Sequence, residues 1–280
     1  MQVPRLFSAL IDDAGLFPPT SLTPSEAITR YRSDKAIGNP TLTGRFLCRV
    51  DGLEKLIAVV DDDEQLPVGM ITSLDPAIVE SGVADLTGRS ACRLAAVEGV
   101  LPAAATAARA IEQATEALAA VPEGIRCAIE IPLADGWQRA VDALADRSYA
   151  AKVRCGGLRA DLFPSPTDLG NFIHHCVRSR VLINPTAGLH HAVRHVDRRT
   201  GWVHHGFLNV LLATCRAVEG APVAQVVAIL DLKDAQPLVS EVWAVPDDLA
   251  EAVRGALPSY GSCSTDIPLN DLRQLGFVTE

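Results

Sequence analysis

The sequence lacks any stretch approaching the roughly 18 uninterrupted apolar residues of a membrane-spanning helix, which argues against a membrane partner. It lacks the pattern of a secretory signal: MQVPRLFSALIDDAG meets two aspartates before any long apolar region develops. It also lacks basic excess. Its 25 Lys and Arg stand against 34 Asp and Glu, for a formal net charge of -9 and a pI near 5.3. A nucleic-acid binder would usually carry a basic face, so no nucleic-acid partner is expected. The seven cysteines are Cys48, Cys92, Cys127, Cys155, Cys176, Cys215 and Cys263. They are odd in number, widely spaced and without a C-x-x-C pair. Neither a zinc ribbon nor a disulfide framework is suggested. Reduced thiols in a cytoplasmic protein are the plain expectation.

What is present is apolar content. Hydrophobic residues make up 48% of the 280, charged residues 21%, and mean hydropathy is +0.19. That supports a large packed core and excludes a disordered chain. No low-complexity tract or long linker divides the sequence, so a single domain over 1–280 is expected. Short apolar runs recur at Leu6–Ile11, Arg45–Val50, Pro67–Thr72, Ala91–Ala96, Arg126–Ile131, Tyr149–Val153, Val181–Asn184 and near Pro258–Ser264. Most lie roughly 25 to 35 residues apart, the length of a strand-helix unit. Between them, Ser25–Arg32, Ala103–Val121, Asp135–Ala145, Thr167–Val177, Gly206–Val218 and Asp247–Leu257 read as helices. Thr23-Pro24 and Pro246-Asp247 supply start signals.

Strands alternating with helices imply a parallel sheet. Eight units in about 250 residues match a (β/α)8 TIM-type barrel. The alternative is an open doubly wound parallel sheet, which would normally show a Gly-rich first turn; none follows Leu6–Ile11. Residues 222–257 read as an insertion, with a helix over Val223–Leu232 and a short strand over Val239–Val245. Strand eight is then Pro258–Ser264. If Val223–Leu232 is itself strand eight, the tail is an appendage.

In this fold the active site lies at the C-terminal ends of the strands. Those positions hold Asp12 and Asp13, Arg49, Glu98, Glu130, Lys152 and Arg154, Asn184, and Ser262. Glu130 and Lys152 are charges embedded in apolar runs, and a buried charge needs a partner or a ligand. Lys152 and Arg154, two apart, share one side of their strand. A partly desolvated lysine beside another cation titrates low, which suits its amine to act as nucleophile or base. The competing reading is a buried Lys152–Glu130 ion pair.

All seven histidines fall between His174 and His205. His190 and His191 close the strand-seven loop, and His204 and His205 open the next helix, close to Asn209. His174 and His175 are expected to face outward. Imidazoles can shuttle protons, pair with anions or bind metal. No H-E-x-x-H pattern occurs. A divalent metal would need His190 or His191, His205, and a carboxylate such as Glu130 or Asp12; hydrogen-bonding histidines are the alternative. Gly156, Gly157, Gly188 and Ser262 offer loop N–H groups for an anion, with Arg154, Arg159 and Arg194 nearby. Cys155 and Cys263 are rim thiols, either nucleophiles or small residues in tight loops.

At Ala151-Lys-Val-Arg-Cys-Gly-Gly, Thr186-Ala-Gly-Leu-His-His, His205-Gly-Phe-Leu-Asn and Ser259-Tyr-Gly-Ser-Cys-Ser, the chain resembles an uncharacterised bacterial (β/α)8-barrel family. Ile11-Asp-Asp-Ala-Gly-Leu-Phe-Pro-Pro extends the resemblance over nearly the whole chain. It implies a lysine at the position that Asn184 occupies here. The Lys-x-x-x-Gly-Gly unit is also faintly similar to the Schiff-base strand of deoxyribose-phosphate-type class I aldolases, which implies an imine-forming role for Lys152 alone.

Three functions follow. One is an aldolase or lyase needing no cofactor, acting on a small anionic carbonyl compound. In it Lys152 forms the imine, Glu130 or Asp12 moves the proton, and Arg154 with Gly156-Gly157 holds the anion. The second is a metal-dependent lyase, isomerase or hydrolase using the histidines. The third is a non-enzymatic barrel that binds a small molecule or a protein, a second copy of itself included. Ionisable groups concentrated at strand ends weigh against the third.

Overall fold

The computed structural model describes residues 3–104, 106–145 and 147–278. Eight parallel strands close into a barrel: β1 (Ile11–Asp13), β2 (Leu42–Arg49), β3 (Leu66–Thr72), β4 (Cys92–Val100), β5 (Arg126–Glu130), β6 (Tyr149–Arg154), β7 (Ile183–Thr186) and, after a long excursion, β10 (Tyr260–Ser262). Around the barrel the order is β1-β10-β7-β6-β5-β4-β3-β2, so the last strand closes between the first and the seventh. This is a (β/α)8 barrel. The excursion after β7 carries a two-stranded antiparallel hairpin, β8 (His195–Val196) with β9 (Val203–His204).

The helices are α1 (Pro24–Ile37), α2 (Leu53–Ile57), α3 (Pro76–Thr87), α4 (Ala107–Ala117), α5 (Trp137–Asp142), α6 (Pro166–Arg178), α7 (Phe207–Val218), α8 (Val223–Asp231), α9 (Ala235–Ala244), α10 (Asp247–Ala256) and α11 (Asp266–Gln274). Local chemistry sets several starts. Thr23 with Glu26, and Ser165 with Asp168, form capping boxes ahead of Pro24 and Pro166. Asp75 caps α3 ahead of Pro76 by accepting from the N–H groups of Ala77 and Ile78. None of the described helices is long and apolar enough to cross a membrane.

Three expectations need correction. The strand expected over Val239–Val245 belongs to helix α9, whose buried Leu238 and Val242 lie one turn apart on the inner face. The insertion over 222–257 is therefore all helix, and strand eight lies inside Pro258–Ser264. The Leu6–Ile11 run is not a strand throughout: Arg5–Phe7 is a 3-10 turn with Leu6 and Phe7 buried, Phe7 edge-on to Phe277 at 5.1 Å. The helix expected over Ala103–Val121 is shortened to Ala107–Ala117, and residue 105 lies outside the described residues.

Alternation along the strands decides what enters the lumen. On β2, Leu47 reaches inward and fills the space between two glycines. A Cβ on Gly69 of β3 would stand 2.6 Å from Leu47 Cδ2, and one on Gly261 of β10 would stand 2.7 Å from Leu47 Cδ1. Charged side chains also enter the lumen.

Candidate active site

The barrel brings Glu98 of β4, Glu130 of β5, Lys152 of β6 and Asn184 of β7 together. Glu130, Lys152 and Asn184 stand side by side in register. Lys152 Nζ donates to Glu98 Oε2 at 2.7 Å and lies 4.0 Å from Glu130 Oε2. Arg154 grips Glu130 with two hydrogen bonds, Nε at 2.8 Å and an Nη at 3.2 Å. Charge thus alternates along one chain: Arg154, Glu130, Lys152, Glu98. Lys152 is 4% exposed, whereas the Arg154 side chain is 39% exposed at the open end. Burial alone would raise the Glu98 carboxyl. The Lys152 ammonium, aided by Arg45 and a hydrogen bond from Asn184, outweighs burial and holds it below its usual value.

A second buried group lies deeper. Asp12 of β1 accepts from Thr43 at 2.6 Å and Ser259 at 2.8 Å, with Arg45 Nε 3.3 Å away. Arg126, the first residue of β5, also reaches Ser259, at 3.4 Å. Burial dominates here and lifts the Asp12 carboxyl above its usual value, despite Arg45 and the hydroxyls. Two carboxyls within one lumen are therefore pushed apart, Glu98 down and Asp12 up, the separation that divides base from acid.

Lys152 accordingly does not sit beside a lone cation. Glu98 and Glu130 flank it, and Arg154 is turned onto Glu130. The ion pair foreseen with Glu130 exists, but Glu98 is the closer partner.

The histidines gather at the hairpin. His190 Nδ1 is 3.3 Å from Ser262 Oγ and 3.7 Å from Cys263 Sγ, and Thr20 donates to that sulfur at 3.1 Å. His191 hydrogen-bonds Asp271 at 3.1 Å, which raises its pKa. The His195 ring lies 4.6 Å from that of His191 and 5.2 Å from that of His204. His205 turns away from the others. Its Nε2–H donates to Pro164 O at 2.8 Å, and Nδ1 lies 3.4 Å from Arg194, so both ring nitrogens are committed to protein partners. Burial lowers His190 and His205 to about 4. The expected meeting of His190 or His191, His205 and a carboxylate does not form. Among the described residues no three His, Cys, Asp or Glu side chains converge on a metal-sized site.

Other expected residues stand elsewhere. Asp13 points outward from the barrel to Arg30 of α1, because its neighbour Asp12 points in. Arg49 lies at the rim, paired with exposed Asp51 at 2.9 Å. Asn209 is structural: its amide donates to the carbonyls of Ile229 and Leu232, both at 2.9 Å, where α8 ends. Arg159 pairs with exposed Asp161, and Arg194 lies 3.4 Å from Asp231, so Arg154 alone of the three arginines joins the lumen network. Ser262 donates to Ser264 O at 2.6 Å, tightening the loop after β10. His174 and His175 lie on α6, and His175 pairs with Asp142 at 2.7 Å.

Loop packing accounts for the three glycines. A Cβ on Gly156 would meet Gly188 Cα at 2.7 Å, and one on Gly157 would meet Leu162 Cδ1 at 2.4 Å. Gly188 has φ +74°, and its Cβ would lie 2.7 Å from Cys155 O. Gly188→Ala is therefore expected to lower Tm by about 5 °C or more, since left-handed strain and overpacking each cost about 1–3 kcal/mol. A wild-type thermal scan would contradict that packing.

Arg45, Arg126 and Ser259 were not foreseen as lumen residues. Arg126 lies four before Glu130, with the same parity on β5, and that was the available signal.

No family model and no curated protein sequence matches the chain. Among solved structures, a chain from the structures of two plant β-glucan endohydrolases is similar at 13% identity and a TM-score of 0.32. The match covers 64% of this chain and 55% of that one, little more than half its length. The fold assignment rests on the closed strand order instead.

Proposed function

We propose that this barrel is an enzyme acting on a small anionic carbonyl compound, lyase-like or aldolase-like, with Lys152 as the attacking amine. The observation that carries this reading is Lys152 Nζ held in the lumen 2.7 Å from Glu98 and 4.0 Å from Glu130. Of the two, Glu130 is the acceptor for the ammonium proton, since the same ammonium holds the Glu98 carboxyl below its usual value. The freed amine adds to the carbonyl carbon, water departs and an imine forms, an electron sink for breaking an adjacent bond. Glu130 or Asp12 then moves the substrate proton. Arg154, half-open beyond Glu130, pairs with the substrate's anionic group. The resemblance at Lys152-Val-Arg-Cys-Gly156-Gly157 supports the lysine's role, and Asn184 limits it to one lysine. All seven cysteines are free and buried, in accord with a reducing compartment.

The full pairing of Lys152 favours a second reading, a closed ion network that only holds the lumen. The two part in deuterium oxide. Pyruvate and related 2-oxo acids, followed by proton NMR, should exchange the protons next to the carbonyl when the protein is present. Glu130→Gln should slow that exchange by about 10²-fold or more. Equal exchange with wild type and Glu130→Gln would remove Glu130 from the chemistry.

A further inference from the structure

The segment between β7 and α7 carries five of the seven histidines. Its neck is fixed by hydrogen bonds. Phe207 N–H and Leu208 N–H, at the start of α7, donate to His191 O at 3.1 Å and Ala192 O at 2.9 Å. Arg194 N–H donates to Asn209 Oδ1 at 2.9 Å, and His205 is held between Pro164 O and Arg194. From this neck the β8–β9 hairpin projects, with His195 and His204 directly opposite each other in register.

Rings hold the hairpin to the barrel mouth. His204 lies 4.5 Å and Trp202 5.4 Å from Phe163, ring centre to ring centre. Phe163 packs where the loops after β6 and β7 meet: a Cβ on Gly156 would stand 2.9 Å from Phe163 Cε1 and 2.7 Å from Gly188 Cα. At the other end of the segment, His190 lies 3.3 Å from Ser262 of β10. The segment thus touches the C-terminal ends of three neighbouring strands, β6, β7 and β10. Within it, the His195 ring lies 4.6 Å from that of His191 and 5.2 Å from that of His204. Three imidazoles in a row pack together when neutral and repel once two are charged.

We infer that the β8–β9 hairpin is an acid-released lid on the barrel mouth, latched on Phe163 while His191, His195 and His204 share at most one charge, and lifting when a second arrives. His191 takes the first proton, because Asp271 of α11 lies 3.1 Å from its Nδ1 and raises it. Burial, with the neighbouring imidazoles, holds His195 and His204 below the usual 6.5. The lifted hairpin therefore binds more protons than the latched one. Closure is complete above 6.5 and weakens as pH falls below it. Asp271 and Asp197 face the row and offset part of the repulsion, yet His195 and His204 stay lowered. His190 and His205 titrate in the neck, beside Arg194, and Arg198 and Arg199 are exposed at the hairpin tip. Arg159 and Asp161, ahead of Phe163, pair with each other. The lid governs entry to the lumen and does not rest on the role of Lys152.

Trp202 rides on the hairpin and reports its position. The test is acrylamide quenching of Trp202 fluorescence in a chain carrying Trp137→Phe and Trp243→Phe. Trp137 must go because His175 lies 5.4 Å from it and would add its own titration. From about pH 7.5 to about pH 5.5, quenching should rise at least roughly twofold with far-UV circular dichroism unchanged. Adding His195→Phe and His204→Phe keeps the rings and removes the charges, and quenching should then stay at its low neutral-pH level throughout. Should that chain not fold, Phe163→Ala removes the latch with the histidines intact and should give the high quenching already at about pH 7.5. Flat quenching across the pH range would overturn the lid. So would a rise that persists without both histidines, or a Phe163→Ala chain that matches its parent at neutral pH. A rise that coincides with loss of circular dichroism would assign it to global unfolding and overturn the lid as well. None of these outcomes bears on the Lys152 reading.

Discussion

Lys152→Met is expected to abolish carbonyl-directed activity and to cost about 3–5 kcal/mol of stability, because it strands the buried Glu98 carboxylate, whereas Glu130 keeps Arg154. Glu98 is 3% exposed, so water cannot replace the lost ammonium there. The effects separate in a double variant. Lys152→Met with Glu98→Gln removes the worst unpaired charge and should recover much of the lost stability, as when a buried ion pair is replaced by neutral groups. It should recover no activity, since the amine is still missing. Urea unfolding curves of wild type, both single variants and the double variant measure the coupling. A Lys152→Met curve matching wild type would mean that Glu98 is not held by Lys152.

The second large effect concerns acid. Neutral His205 is buried and His190 half-buried, with pKa values lowered to about 4 against the usual 6.5. A lowered imidazole pKa means that the unfolded chain binds protons before the folded one does. The stability these groups confer is complete above pH 6.5 and is lost as pH falls from 6.5 towards about 4. Each can account for up to about 3 kcal/mol over that window. Asp12 and Asp13 act in the opposite sense, because burial raises them and protonation relieves it. His191, raised by Asp271, also offsets part of the loss. His205→Gln isolates one contribution, since Gln keeps an N–H for Pro164 O and has no titration. Wild type should lose about 2 kcal/mol more than His205→Gln between pH 7 and 4.5, by urea midpoints at each pH. Parallel losses would mean that His205 is not the acid-sensitive group.

The residues explain what could be read in advance. A charge within an apolar run is visible in one dimension, so Glu130, Lys152 and Arg154 stood out and do share the lumen. Barrel closure also followed from eight apolar runs alternating with helical segments. The partner of Lys152 did not, because Glu98 lies 54 residues earlier and meets it only across the lumen. Arg45 and Arg126 were hidden for the same reason: Arg45 enters the lumen from the middle of β2 and Arg126 from the start of β5, below the expected rim. Helix α9 was misread because Val239, Val242 and Val245 are β-branched, while their packing follows the helical spacing of Leu238 and Val242. Gly156 and Gly157 suggested an approaching ligand, and what packs against them is the β7 loop at Gly156 and Leu162 at Gly157.

The chain contains four lysines: Lys35, Lys55, Lys152 and Lys233. All but Lys152 are exposed, so ordinary surface chemistry would reach it last. The most direct measurement is cyanoborohydride reduction with pyruvate and other small anionic carbonyl compounds, followed by peptide mass mapping. A reactive lumen amine predicts a reduced adduct on Lys152 in preference to the three surface lysines. Adducts confined to Lys35, Lys55 and Lys233, in proportion to their exposure, would contradict it.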